Sequence, residues 1–191
     1  MSQEEFKIAA KNGDVETVKA FIIGLDFSDK RLYQALNISG RHGHISVVKV
    51  LIDKGININF KGKYGWTALM RICETPHTEV VKLLIDKGAK LNIEDKYGNT
   101  ALNIAAAEGH LATVKLLVEE GAKVNFKNKY GWTALMRAAE NGHVEAARVL
   151  LGAGANPNVK DKLGRTVFDI AKNKGNAEML SVLGAAGISL K

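Results

Sequence analysis

Apolar residues recur along the chain in short segments with the spacing of one helical face, and glycine separates the segments. After His44 and His110, apolar side chains follow at offsets of four, seven and eight, at Val48, Leu51 and Ile52 and at Val114, Leu117 and Val118. Such spacing marks one side of an α-helix. The pattern therefore predicts many short helices, each with one buried face. Uninterrupted apolar runs are far shorter than the roughly 20 residues that span a membrane.

The helical segments belong to a repeat of 33 residues. One position of the repeat is marked by His44, His77, His110 and His143, and then by Asn176. A position ten residues earlier is marked by Thr67, Thr100, Thr133 and Thr166, while Glu4 and Gln34 stand there in the first two units. Threonine can cap a helix, and glycine before the histidine permits a tight turn. Each unit is thus predicted to be a helix, a turn and a second helix.

A loop of about a dozen residues, rich in Asn and Gly, follows each second helix of the inner units, and such residues permit the reversal of a hairpin. One loop with its following helix, Asn59 to Arg71, returns at Asn125 to Arg137 with twelve of thirteen positions identical. The exception is Gly62 against Asn128. The copies lie 66 residues apart, which is two repeats, and a period in this range predicts a solenoid.

The fourth unit shows the pattern most fully, with D-K-Y-G-N-T-A-L-N-I-A-A-A-E-G-H from Asp95 to His110, and then Val114, Leu117, Gly121 and Asn125. Over essentially its whole length the chain resembles the ankyrin repeat family. The resemblance implies an all-α solenoid of stacked helix-turn-helix units with projecting β-hairpin loops. It also implies that the hairpin tips and the concave face bind another protein.

The resemblance implies a single ankyrin-repeat domain over residues 1–191. Its predicted units are an N-terminal cap (1–28), four internal repeats (29–61, 62–94, 95–127 and 128–160) and a C-terminal cap (161–191). The loop after the first unit is three residues short, so we expect no full hairpin there. Pro76 replaces the glycine between the helices of the third unit, so that turn must be built differently. Met70 and Met136 are expected to fill the site of the family's histidine.

Residues at the hairpin tips and on the first helices form the predicted binding surface, because the fold does not need them and because Trp, Tyr and Arg dominate binding hot spots. The predicted partner-binding residues are Lys63, Tyr64, Trp66, Arg71, Lys96, Tyr97, Asn99, Lys129, Tyr130, Trp132, Arg137, Lys162 and Arg165. Two repeats correspond to about 20 Å between Trp66 and Trp132, which fits an extended segment or a broad protein face. Two alternatives stay open: the tyrosines could only pack finger against finger, and the near-identical copies could reflect duplication.

No catalytic motif, cofactor site or metal site is predicted, and we expect a binding module and not an enzyme. Equivalent histidines of neighbouring repeats lie about 8–10 Å apart, too far to share a zinc ion, so they are expected to bond the backbone. His42 lies outside that series and has no predicted partner. Cys73 is the only cysteine and is expected to act as a small buried hydrophobe.

The formal net charge of +7 favours an acidic partner. We expect a protein partner with acidic and exposed apolar groups, no membrane association, and a monomeric chain. The alternative is binding of a nucleic acid or polyanion through the row of lysines and aromatic residues. The acidic start, Met1 to Glu5, is unlike a secretory signal, so a cytoplasmic location is expected and a nuclear one stays open.

Overall fold

A computed structural model describes residues 2–26 and 28–186. These residues form twelve α-helices and one 3₁₀ turn at Lys63–Gly65, and none of them lies in a β-strand. The helices come in six consecutive pairs, which confirms the predicted all-α architecture of helix-turn-helix repeats. The chain divides into two compact units, one that ends at Lys90 and one that begins at Leu91.

The N-terminal unit contains three helix pairs. They are α1 (Gln3–Asn12) with α2 (Val15–Ile22), α3 (Lys30–Arg41) with α4 (Ile45–Asp53), and α5 (Ala68–Ile72) with α6 (Thr78–Asp86). The first helices pack in order, α1 against α3 and α3 against α5, and the second helices do the same, α2 against α4 and α4 against α6. Two layers of helices thus enclose a core in which Phe6, Leu36 and Leu51 are buried.

The C-terminal unit repeats this arrangement. Its pairs are α7 (Ala101–Glu108) with α8 (Leu111–Glu119), α9 (Ala134–Glu140) with α10 (Val144–Gly152), and α11 (Val167–Asn173) with α12 (Ala177–Ala185). Here α9 packs between α7 and α11, and α10 packs between α8 and α12. Leu102, Leu117 and Leu135 are buried in its core.

Threonines cap the first helices of the later repeats, as the sequence predicts. The hydroxyl of Thr67 accepts a hydrogen bond from the Met70 amide at 3.3 Å, and Thr133 does the same for Met136 at 3.4 Å. Both methionine side chains are buried. Each of these two helices therefore starts with a threonine hydroxyl that caps it and, three residues later, a methionine side chain that is buried in the core.

The first two repeats begin their helices at other positions. Ser2 caps α1 and Asp29 caps α3, while Gln34 lies inside α3. The connection from α2 to α3 is short, so the cap of α3, Asp29, lies five residues before the position of the repeated threonine. Both Ser2 and Asp29 carry the side-chain oxygen that a helix start requires.

Two of the repeated histidines bond the backbone of the preceding repeat, as predicted. The Nε2 atom of His44 lies 2.7 Å from the Lys11 carbonyl oxygen, and that of His143 lies 2.9 Å from the Ala107 carbonyl oxygen. The ring of His44 also occupies space that only glycine leaves, because a Cβ atom on Gly13 would lie 2.6 Å from its Nδ1. These two histidines therefore connect consecutive repeats, whereas the buried Nε2 of His110 has no hydrogen-bond partner among the described residues.

Three other positions refine the sequence predictions. No partner was predicted for His42, but it caps the end of α3, and its Nδ1 lies 2.9 Å from the Ile38 carbonyl oxygen. The turn at Pro76 is built differently, as predicted, with the Thr75 amide bonded to the Ile72 carbonyl at 2.9 Å. Cys73 is fully buried, and burial raises the pKa of its thiol, which confirms its role as a small core residue.

A side-chain oxygen at the base of each loop holds the tip in the C-terminal unit. Asp95 accepts hydrogen bonds from the amides of Tyr97 and Asn99, both at 2.8 Å. Asn128 does so for Tyr130 and Trp132, and Asp161 for Leu163 and Arg165, all at 2.9 Å. All three base residues are buried. The loop tips are therefore fixed by bonds that water does not reach easily.

Gly62 occupies the same position in the N-terminal unit and has no side chain to hold the tip. Its space is taken by Tyr33, because a Cβ atom on Gly62 would lie 2.7 Å from the Tyr33 ring. The Tyr33 hydroxyl donates a hydrogen bond to the Trp66 carbonyl at 2.7 Å. Without a side-chain acceptor the tip winds into the 3₁₀ turn, and Tyr64 takes a φ of 63°, the only positive φ among the described residues other than glycine. The single difference between the two copies thus produces two different tips.

We expect Asn128→Gly to lower the free energy of unfolding by about 2 kcal/mol, because two tip amides lose a buried acceptor and glycine adds freedom to the unfolded chain. Urea denaturation followed by circular dichroism measures the change. Asn128→Asp keeps the acceptor oxygen and serves as the matched control. Equal denaturation midpoints for the two variants would contradict this role of the side-chain oxygen.

Gly62→Ala should displace the Tyr33 ring and weaken its bond to the Trp66 carbonyl, at a cost of about 1 kcal/mol in unfolding free energy. A double-mutant cycle with Tyr33→Ala tests the cause. In the Tyr33→Ala background, Gly62→Ala is expected to cost much less. The same cost in both backgrounds would show that Tyr33 does not constrain position 62.

Candidate functional site

The structure places most of the predicted binding residues in two clusters, one in each unit. The N-terminal cluster consists of Lys63, Tyr64, Trp66 and Arg71, and the C-terminal cluster consists of Tyr130, Trp132, Arg137, Lys162 and Arg165. The remaining four, Lys96, Tyr97, Asn99 and Lys129, form a tip row on the first two loops of the C-terminal unit. Each group combines a loop tip with the first turn of the helix that the loop enters, or with a neighbouring tip.

The C-terminal cluster surrounds an open cavity of about 430 Å³. The lining consists of all five cluster residues together with Asp161 and Leu163. Two guanidinium groups lie beside the Trp132 ring, with Arg137 Cζ at 4.9 Å and Arg165 Cζ at 5.6 Å from its centroid. Such distances give favourable cation–π attraction and restrict the ring. The cavity therefore presents a positioned aromatic surface next to positive charge.

Arg165 is held in place by Asp161, whose side chain is only 1% exposed. The Nε and Nη2 atoms of Arg165 lie 2.9 and 2.8 Å from one carboxylate oxygen. Burial alone would raise the pKa of the Asp161 carboxyl, but the amides of Arg165 and Leu163 and the Arg165 guanidinium together hold that pKa below its usual value. The ion pair thus stabilises the loop, and the positive charge of Arg165 is already balanced by Asp161.

Arg137 differs because it makes no ion pair within the described part of the chain. It extends from α9 and is half-buried. Burial lowers the pKa of its guanidinium, against the opposing effect of the nearby Glu140. An arginine stays protonated even so. The cavity therefore contains one partly desolvated positive charge without a bonded counter-ion.

The N-terminal cluster lies beside a second cavity, of about 420 Å³. The lining includes Lys63, Trp66 and Arg71 from the predicted set, and also Lys30, Tyr33, Gln34, Asn37, Phe60, Lys61 and Gly62. The Arg71 guanidinium lies 4.2 Å from the centroid of the Trp66 ring, and its Nη1 lies 3.6 Å from the Glu74 carboxylate. The arginine and tryptophan thus lie close together in both copies, but of the two arginines only Arg71 forms an ion pair within the described residues.

The tip row combines packing with exposure. The rings of Tyr97 and Tyr130 are 6.5 Å apart and tilted, yet both side chains stay exposed. The Lys96 ammonium lies 4.6 Å from the Tyr97 ring centroid. Asn99 donates to Asp95 at 3.2 Å and accepts from Asn128 at 2.8 Å. The tyrosines therefore pack finger against finger and remain accessible, while the Asn99 side chain is engaged in the loop.

Sequence reasoning left Tyr33, Phe60 and Leu163 out of the binding set. Tyr33 could have been found from the repeat, because Tyr33, Trp66, Asn99, Trp132 and Arg165 are successive members of one 33-residue register. Leu163 occupies the tip position of the tyrosines and is 76% exposed. Phe60 packs edge-on against Tyr33 with centroids 4.8 Å apart. That contact depends on the irregular start of α3, which the repeat pattern does not contain.

The described residues contain no group of three His, Cys, Asp or Glu side chains placed to hold a metal ion. No helix among them is both long enough and apolar enough to cross a membrane. The two cavities instead bring together aromatic rings, lysines and arginines. These side chains can interact with another molecule through apolar contact and through charge.

Comparison with known proteins agrees with the fold and the periodicity. Over 81 residues the chain is 31% identical to the E3 ubiquitin-protein ligase XBAT32 of Arabidopsis thaliana, a match that covers 38% of this chain and 15% of that ligase. A family model for ankyrin repeats (3 copies) matches residues 6–95 and 91–161, which is most of the chain. The chain therefore belongs to the ankyrin repeat family.

Proposed function

We propose that this chain is a non-catalytic scaffold that binds a partner protein through the N-terminal cluster, the C-terminal cluster and the tip row. Ankyrin repeats generally mediate protein–protein interaction and are generally non-catalytic. That general property narrows the class of function. The choice of surface, and of partner chemistry, rests on the geometry of the two cavities.

The observation that carries the proposal is the convergence of Tyr130, Trp132 and Leu163 with Arg137 and Lys162 at one cavity. Aromatic side chains that are already held by their neighbours lose little freedom on binding, which favours affinity. Tyr130 and Leu163 expose apolar surface that the fold does not use. An apolar side chain of a partner would gain contact there, and an acidic one would gain a counter-charge.

A nucleic acid or polyanion remains the alternative because lysines accompany every tyrosine tip. The structure provides less support for base stacking than the sequence pattern does. The Lys63 and Lys96 ammonium groups lie 4.8 and 4.6 Å from the centroids of the neighbouring tyrosine rings, where they compete with a stacked base. The partner surface of a protein, with mixed apolar and acidic groups, fits this arrangement better.

The proposal includes a monomeric chain, organised as one domain of six units, that acts in the cytoplasm or the nucleus. The buried, unpaired Cys73 is compatible with a reducing compartment. Size-exclusion chromatography with light scattering measures the oligomeric state.

Trp132→Ala or Trp66→Ala should weaken partner binding by about 2 kcal/mol, which is close to thirtyfold, with little change in melting temperature. Twelve-residue peptides selected by display on the unmodified chain supply the ligands. Fluorescence anisotropy then gives their dissociation constants for each variant. Ile23→Ala, at an exposed apolar side chain outside the clusters, is the control.

A loss of stability with unchanged affinity per folded molecule would show that the tryptophans are structural. A single-stranded oligonucleotide is titrated in parallel at several salt concentrations. Micromolar binding that falls steeply with salt would favour the polyanion alternative. Absence of binding at low salt would exclude it.

A further inference from the structure

The two copies of the repeated stretch hold their arginines differently, although twelve of their thirteen residues are identical. Arg71 forms an ion pair at 3.6 Å with Glu74, which lies three residues later and just beyond the end of α5 at Ile72. Arg137 has Glu140 at the same spacing on α9. No ion pair joins Arg137 to Glu140, however, within the described residues. The cause must lie outside the repeated stretch.

Two features outside the repeated stretch differ: α5 ends at Ile72 whereas α9 continues to Glu140, and Glu140 has a second basic neighbour in Lys174. Lys174 stands at the end of α11, and its Nζ lies 2.9 Å from the Glu140 carboxylate. The Lys174 side chain is 49% exposed and that of Glu140 30%, so the pair is only partly shielded from water. The 66-residue register that aligns the two copies places the acidic Glu108 at the position of Lys174. The basic residue is thus specific to the second copy.

The bond between Lys174 and Glu140 has a direct consequence for the C-terminal cavity. Once Glu140 is engaged, the guanidinium of Arg137 keeps its hydrogen-bond donors available beside Trp132. A partly buried charge without a partner is unfavourable, and a ligand that supplies the counter-charge recovers that energy. Arg165 does not compete, because Asp161 already neutralises it.

We propose that Lys174 is a positioning residue that keeps Arg137 free to bind a carboxylate of the partner protein. The occupant is an extended partner segment with an Asp or Glu next to an apolar residue. Its carboxylate bonds Arg137, and its apolar side chain contacts Trp132 and Leu163. Lys174 is not among the residues that line the cavity, so it acts through Glu140. The inference rests on the proposed function and specifies the partner chemistry of this cavity.

The first experiment needs no partner. Phenylglyoxal modifies accessible, unpaired arginines, and mass spectrometry measures the rate at each one. In Lys174→Ala, Glu140 is released to pair with Arg137, so the Arg137 rate should fall several-fold. Lys174→Arg keeps the positive charge and should preserve the rate. Lys174→Ala combined with Glu140→Gln should restore it.

The N-terminal copy supplies the matched control. Glu74→Gln removes the partner of Arg71 and should raise the Arg71 rate several-fold, towards that of Arg137. If Lys174→Ala leaves the Arg137 rate unchanged, or if the double variant does not restore it, the role of Lys174 is overturned. That outcome leaves the proposed function intact.

The second experiment tests the carboxylate. A labelled peptide with Asp-Glu-Leu-Phe at its centre is titrated by fluorescence anisotropy, with the Asn-Gln-Leu-Phe peptide as its uncharged counterpart. We expect the acidic peptide to bind at least tenfold more tightly, the scale of a hydrogen bond to a charged group. Lys174→Ala should reduce that preference, and Lys174→Arg should keep it.

Absence of binding by the acidic peptide, or equal binding of both peptides, would overturn the carboxylate assignment. Tighter, Arg137-dependent binding of an oligodeoxythymidylate would overturn it in favour of a polyanion. The proposed function itself is judged separately, by the selected peptides and the Trp132→Ala variant. The failures of the two ideas are therefore distinguishable.

Discussion

The binding surface of each unit depends on how a loop tip is held at its base. In the C-terminal unit, Asp95, Asn128 and Asp161 each accept two amide hydrogen bonds from the tip. Because these acceptors are buried, their loss would leave amides unsatisfied, which costs more than the bonds themselves return. The N-terminal unit meets the same need through Tyr33, whose ring fills the space at Gly62 and whose hydroxyl bonds the Trp66 carbonyl. The two tryptophans are thus held by different contacts, Trp132 by the Asn128 side chain and Trp66 by the Tyr33 hydroxyl.

Near-identity of sequence does not give the two copies the same electrostatics. The arginine and tryptophan approach each other in both, at 4.2 Å and 4.9 Å. Their acidic neighbours have different partners, since Glu74 pairs with Arg71 just beyond α5 while Glu140 pairs with Lys174 of the following helix pair. In a repeat protein each unit contacts its neighbours, so the chemistry of a surface is shared between consecutive repeats. The neighbouring repeats therefore influence which charges of two identical side chains are already paired.

Much of the fold could be predicted because it depends on local spacing. The threonine caps, the turn histidines and the buried methionines could each be predicted by comparing a residue with its equivalents one or two repeats away. The start of α3 at Lys30, capped by Asp29, could not be predicted because it lies where the register is interrupted. The partner of His42 could not be predicted because the other units have no histidine at that position. The interrupted register is also why Phe60 was missed at the N-terminal cavity, whereas Tyr33 follows the 33-residue register and could have been found from it. Periodicity predicts the features that recur in several units, and it gives no information on positions where one unit departs from the others.

By itself, the sequence determined the family, the helix pairs and the positions at which Trp, Tyr, Lys and Arg are not needed for stacking. Short-range hydrogen bonding and the periodic burial of apolar side chains are sufficient for that. Only the tertiary structure decided how those side chains are grouped and which charges are already neutralised. Asp161 balances Arg165 across a loop, and Lys174 pairs with Glu140. Competition among carboxylates depends on distances of a few ångströms between separate elements, and spacing along the chain does not contain those distances.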